Sequence, residues 1–342
     1  MDTGNSLSAA KKTQIYDFIK IAVEILVVLQ HITVMYSDHA AVPQIMSSRL
    51  LASVYAVLAV ATMPIFMCIC GAVYDYCISI GKYQNRLRFI GNKFKRLMIP
   101  YYVFSALIVA PVVIKVGVVS WSYQEFLIRG TLLGGLTRHL WFCMSLFCIF
   151  ILCALLRDVL KKCPPFIILL IVAVMSYIGT RWSAPYFQLH QTLHYILYFY
   201  VGTLINSNWD KFAGFIKKHY IICLILSAAA WLSILASAHL RYLAAFGSIL
   251  FIFAVSMPVG IPNLERHSSY ALLKRDSFGI YLLHPMMIYL IFHAFRDSTV
   301  NPYLISVVTF VVVYSASIVI TEIIRKLHLG VIIGEKSLKS SR

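Results

Sequence analysis

The chain is 342 residues long, 60% hydrophobic and only 13% charged, with a mean hydropathy of +0.81; soluble domains run nearer half apolar and a quarter charged, so an ordinary water-soluble enzyme is excluded. Thirty Lys and Arg against 13 Asp and Glu give a net charge of +17. In a soluble chain that would raise nucleic acid as a partner, but a chain this apolar must first satisfy lipid. The eight cysteines lie mostly in apolar runs without CxxC or other metal-ligand spacing, which argues against a disulfide framework or a structural zinc.

Apolar stretches long enough to span a bilayer fall at 14–36, 50–71, 99–117, 140–157, 164–180, 191–206, 219–237, 242–260, 277–295 and 303–324, and 164–180 and 191–206 are short enough that one of them is a candidate re-entrant segment. The fold class predicted is an all-α integral membrane protein: one polytopic domain over 1–342 with about ten transmembrane helices and short tails at 1–13 and 326–342. Lys and Arg are retained on the cytoplasmic side during insertion. With the N-terminus inside, 22 of the 30 cations fall in inner segments and six in outer ones, so both tails are expected in the cytoplasm. The first span holds Asp17, Lys20 and Glu24 and lacks a small-x-small cleavage site after it, so it reads as a retained anchor.

Ionisable groups within a span cost about 2.5 kcal/mol or more each and call for a reason. At about 100° per residue, setting Lys20 at 0° places Glu24 at 40°, His31 at 20° and Asp17 at 60° on one stripe. One reading is structural, with Lys20 neutralised by Asp17 and Glu24 on the same face. It accounts less well for His31, about 10 Å beyond Glu24 along the axis. The functional reading is a polar path leading to His31 as base or nucleophile, since an imidazole titrates near neutrality.

Farther on, the segment Arg86–Arg96 is the densest cationic run, with Leu87, Ile90, Phe94 and Leu97 clustered on a helical wheel. It predicts a cytoplasmic-face amphipathic helix near 84–97 that anchors to headgroups, or that docks a polyanionic cofactor. His139 stands in Arg138-His139-Leu140-Trp141 at the mouth of the fourth span, where interfacial aromatics are expected in any case. His190 and His194 stand at i and i+4 without a third ligand nearby, so no metal is assigned. His284 follows Phe278-Gly279-Ile280-Tyr281-Leu282-Leu283 on the ninth span, as a structural or a functional imidazole.

Together these segments resemble a family. Asp17-Phe-Ile-Lys20, ten residues, then His31 is similar to the first-helix pattern Asp-x-x-Arg-x10-His of the bacterial acyltransferase-3 membrane proteins, which O-acylate cell-surface glycans. Met63-Pro64-Ile65-Phe66 through Cys70-Gly71, Lys93 to Tyr101 with its basic pair before Ile-Pro-Tyr, His139-Leu140-Trp141-Phe142, and Phe278 to His284 follow in the family's order. The resemblance implies acetyl-CoA as co-substrate, with no permanently bound cofactor. It implies His31, with Lys20 and Asp17, as the catalytic set, and Lys93 and Arg96 as contacts of the donor. Glu24, His139, Trp141, Tyr281 and His284 are placed as substrate-contacting or supporting residues. Lys stands for the family's Arg at 20 and 93, keeping charge but losing bidentate phosphate geometry, and Cys70 stands for its Ser. The expected partners are an acyl-CoA donor, a glycan or lipid-linked sugar acceptor, membrane lipid and polysaccharide-synthesis machinery; the expected place is the bacterial plasma membrane. The absence of a fused hydrolase-like domain predicts the stand-alone type. The rival reading is a transporter or flippase of a glycan precursor, in which the buried charges line a pathway; a catalytically dead partner of a glycan synthase is disfavoured by the intact His31.

Overall fold

A computed structural model describes residues 3–40, 47–136, 138–182, 186–258, 267–296 and 298–335; Met1, Asp2 and 336–342 of the expected tails lie outside the described residues. Among these residues every regular element is helical. The longer helices are α1 (Thr3–Thr33), α2 (Arg49–Ser79), α3 (Arg86–Lys115), α4 (Arg138–Leu155), α5 (Pro165–Arg181), α6 (Leu189–Ser207), α7 (Trp209–Lys218), α8 (Tyr220–Leu235), α9 (Ala238–Ser256), α10 (Ser268–Ala294) and α11 (Pro302–Lys326).

Each of the ten expected stretches falls on one of these helices. Seven are long and apolar enough to cross a membrane, and an eighth if the bent pair α7–α8 is one span. The chain is a multi-pass membrane protein. Helix α5, with 17 residues, is shorter than that set, and α6 carries His190, Gln191, Thr192, His194 and Asn206 among its apolar residues. Helix α7 turns 96° into α8. It buries Trp209, Ala213 and Ile216 and carries Asp210, Lys211, Lys217 and Lys218, the pattern of a helix lying in an interface.

The helix expected near 84–97 is the first part of α3. Asn85 caps it, its side chain accepting from the Arg88 N–H. The run continues without a break through wide π-helical turns at Phe94–Met98 and Ser105–Val109. Phe89, Leu97 and Met98 are buried, whereas Leu87 is 82% exposed and Phe94 is exposed as well, the side an interfacial helix would turn to lipid.

The chain falls into two compact units. One comprises Met1–Gln30, Arg49–Lys82 and Tyr198–Ser277. Here α2 and α6 cross at van der Waals distance because both offer a glycine: a Cβ on Gly71 would overlap the Phe199 carbonyl, and one on Gly202 the Cys68 carbonyl. Small residues at crossings are how helices pack in lipid, where no hydrophobic effect draws them together. One polar cluster of this unit is satisfied within itself. Tyr16 Oη donates to Asn206 Oδ1 at 3.1 Å, and Asn206 Nδ2 and Ser207 Oγ donate to Asp75 Oδ2 at 2.8 and 2.7 Å. Tyr16 packs edge-on against Trp209 and Phe253.

The other unit comprises His31–Ser48, Tyr83–Leu197 and Phe278–Arg342. Its last described turn, Gly330–Ile333, is clasped by Arg325, whose Nε donates to both carboxylate oxygens of Glu335 at 3.0 and 3.1 Å and whose Nη1 pairs with Glu322. Gly334 follows at φ +75°, and a Cβ there would meet the Arg96 carbonyl and the Phe278 ring. That left-handed position beside a backbone suits glycine alone.

Candidate active site

Helix α1 ends at Thr33, two residues past His31, and the 3-10 turn Val34–Tyr36 that follows is fixed by Tyr36: its Oη donates to the Pro302 carbonyl at 2.9 Å, Ser306 Oγ donates to Tyr36 Oη at 3.1 Å, and its ring packs on Phe292. His31 is thereby held against His284 of α10. The two rings stand nearly perpendicular with centroids 4.9 Å apart, and His31 Nδ1 lies 3.4 Å from His284 Nε2.

Pro285 interrupts the hydrogen-bond ladder of α10 beside His284. It lies inside the helix and has no N–H to give the Tyr281 carbonyl. On the same turn, His284 Nδ1 lies 2.9 Å from the Ile280 carbonyl, and His139 Nε2 lies 3.1 Å from the Leu282 carbonyl. A carbonyl oxygen only accepts, so both ring nitrogens carry their protons. In the uncharged His284 ring, Nε2 is then the acceptor, and it is His31 Nδ1–H that donates to it. The lone pair of His31 is left on Nε2. By the same argument the lone pair of His139 is on Nδ1.

His139, 94% removed from solvent, packs against both His284 and Tyr281, with centroids 6.0 and 5.6 Å away. Tyr281 Oη donates to the His139 carbonyl at 2.6 Å, and its ring stacks on Phe278. Three imidazoles and a phenol therefore share one buried place. The loop leading into it is backbone-strained: Arg138 has φ +50°, and Phe187 and Gln188, each at φ +53°, tie to Leu133 and Gly134 through the Phe187 N–H and the Gln188 side chain. Non-glycine residues in the left-handed region cost on the order of 1 to 3 kcal/mol each and gather at functional sites.

The remaining expected residues lie elsewhere. Trp141 stacks on Tyr195 at 4.9 Å. Asp17 is bound by Lys274 of α10, Nζ to Oδ2 at 2.7 Å, whereas the sequence suggested Lys20 as its partner. Glu24 is 1% exposed, on the same stripe of α1 as Lys20. Arg96 is exposed, but the Lys93 ammonium sits in a box of rings, 4.2 Å from the Phe150 centroid, 5.2 Å from Tyr83 and 5.6 Å from Phe89. His194 Nδ1 lies 3.2 Å from Ser176 Oγ. Sequence reasoning passed over Arg138 and Pro285; the His-Pro pair inside an apolar span was a visible signal for the second.

A multi-pass helical membrane protein with an imidazole cluster buried between its helices is the class that fold and site define. The family profile described as "Acyltransferase domain" matches residues 14–323, and the chain belongs to this acyltransferase-3 family. Membership implies transferase activity and an acyl donor. Among curated proteins, the "Probable poly-beta-1,6-N-acetyl-D-glucosamine export protein" of Staphylococcus epidermidis is 27% identical over 120 residues, 32% of this chain and 34% of that protein. The protein of the same name from Staphylococcus aureus strain MSSA476 is 25% identical over 117 residues, 31% and 33% of the two chains. The matched part thus spans about a third of these relatives. No solved structure matches the chain.

Proposed function

We propose that the protein is an O-acyltransferase of the bacterial plasma membrane, one catalytic membrane domain that moves an acetyl group from acetyl-CoA to a sugar hydroxyl of a cell-surface or lipid-linked polysaccharide. The observation that carries this reading is the His31–His284 pair, which leaves a lone pair on His31 Nε2 inside an acyltransferase-family chain. The glycan acceptor is supported by the names of the relatives.

His31 Nε2 takes the proton of the sugar hydroxyl as that oxygen attacks the thioester carbonyl carbon. The tetrahedral adduct collapses with cleavage of the C–S bond, and the CoA thiolate leaves and recovers the proton from the His31 imidazolium. His284 positions His31 and fixes its tautomer. The 3′- and pyrophosphates of the donor meet Arg96 from its exposed position, and Lys93 joins on exchanging its ring box for phosphate. Contact with rings is worth about 0.5 to 2 kcal/mol and a hydrogen bond to a charged group about 1.5 to 3 kcal/mol, so phosphate competes with the rings for the ammonium on comparable terms. The excess of Lys and Arg in the inner segments supports a cytoplasmic side for both termini and the basic run, where acetyl-CoA is made.

The word "export" in the relatives' name favours one second reading, movement of the glycan across the membrane. Mass spectrometry of the glycan made by cells with and without the protein tests between them. Acetylated sugar that disappears with the protein and with His31→Ala supports transfer; unacetylated glycan that stays inside when the protein is removed supports export.

A further inference from the structure

Beside the imidazole pair, two buried polar atoms have no hydrogen-bond partner among the described residues: His139 Nδ1 and Arg138 Nε. Both belong to otherwise well-held side chains. His139 is pinned through Nε2 to the Leu282 carbonyl, and Arg138 through Nη2 to Tyr289 Oη at 3.4 Å, its guanidinium 5.7 Å from the Tyr289 ring centroid. A buried donor or acceptor left unmade costs about 1 to 3 kcal/mol. The chain carries two such atoms on adjacent residues and holds Arg138 at φ +50° to present them. A site with that much stored against it is built for something that binds.

The two atoms differ in kind. Arg138 Nε–H only donates; His139 Nδ1, with its proton committed on Nε2, only accepts. A phosphate or carboxylate only accepts and would face the His139 lone pair with its own, which excludes the donor's phosphates. A sugar carries hydroxyls that donate and oxygens that accept, and so offers a partner for each. We infer that Arg138 and His139 form the acceptor subsite for a neutral glycan, a sugar hydroxyl donating to His139 Nδ1 and a sugar oxygen accepting from Arg138 Nε. It rests on the acyltransfer reading above, and it adds Arg138, a residue no family motif carries here.

Two variants separate binding from folding. His139→Gln keeps an amide N–H for the Leu282 carbonyl and takes the acceptor away from the Nδ1 position, its own Oε1 lying beside that N–H; Arg138→Asn removes the guanidinium at a residue type that tolerates left-handed φ. Each is placed in lipid nanodiscs and titrated with a β-1,6-linked N-acetylglucosamine oligomer and, separately, with acetyl-CoA. The expected result is oligomer affinity weakened by about tenfold in each variant, with acetyl-CoA affinity within twofold of the parent. Oligomer affinity unchanged in both monodisperse variants overturns the subsite, as does a loss confined to acetyl-CoA or a parent protein that does not bind the oligomer. If the parent binds the oligomer through these two residues yet releases no CoA, the subsite stands and the acyltransfer reading falls.

Discussion

His31 and His284, 253 residues apart in the chain, meet at 3.4 Å through Nδ1 and Nε2, and the bond from His284 Nδ1 to the Ile280 carbonyl sets the direction of both protons. The arrangement resembles a base and its orienting partner, with an imidazole in the place where a carboxylate is more familiar. It makes His284 a positioning residue whose removal leaves His31 in place but free to take the wrong tautomer.

His284→Asn retains a donor for the Ile280 carbonyl and loses the ring that carries the Nε2 acceptor toward His31. The expected outcome is a fall in kcat of about 10- to 100-fold with little change in the KM for acetyl-CoA. Steady-state CoA release measures it, and activity within twofold of the parent speaks against the pairing.

Lys93→Met keeps an unbranched apolar stem among Phe150, Tyr83 and Phe89 and deletes the charge. We expect the KM for acetyl-CoA to rise about tenfold and its dependence on salt to weaken, with the thermal midpoint nearly kept. A KM equal to the parent at low and high salt removes Lys93 from the donor site and leaves it a packing residue.

Gly71→Ala places a methyl on the Phe199 carbonyl where α2 and α6 cross. Overpacking of this kind costs about 1 to 3 kcal/mol. The loss is read as a lower unfolding midpoint in detergent, and an unchanged midpoint means that the two backbones part at little cost.

Arg86 hydrogen-bonds the Asp158 carboxylate at 2.5 Å and holds its pKa below the usual carboxylate range. A depressed folded-state value means that the pair's contribution is present above the unfolded pKa and fades as pH falls through the folded one. Asp158→Asn is therefore expected to lower the unfolding midpoint slightly at neutral pH, with a difference that shrinks on acidification; a difference that grows on acidification contradicts the assignment. The pair is solvent-exposed, so the effect is small.

Much of the helical framework was legible because lipid demands long apolar runs, and each of the ten runs became a helix. The bend at His219 was not, since no proline or glycine marks it and the amphipathic Trp209–Lys218 lay between two apolar stretches. The α1 stripe followed from helical periodicity alone, but its partners did not. Asp17 went to Lys274, and His31 to a residue on another helix that no spacing rule connects with it. Lys93 was read by its charge; the rings of Tyr83, Phe89 and Phe150 come together only in the folded chain. His139 drew attention as an imidazole, while Arg138 looked like one more interfacial cation until its backbone and its unpaired Nε were seen.

The central claim is that His31 Nε2 activates the acceptor. Purified protein in lipid, supplied with acetyl-CoA and a surface glycan, tests it most directly by the glycan-dependent rate of CoA release, beside a His31→Ala control that unfolds at the same temperature. The account predicts release that requires the glycan and falls by at least about 100-fold in the control; equal rates in the two proteins, or no release from the parent, would contradict it.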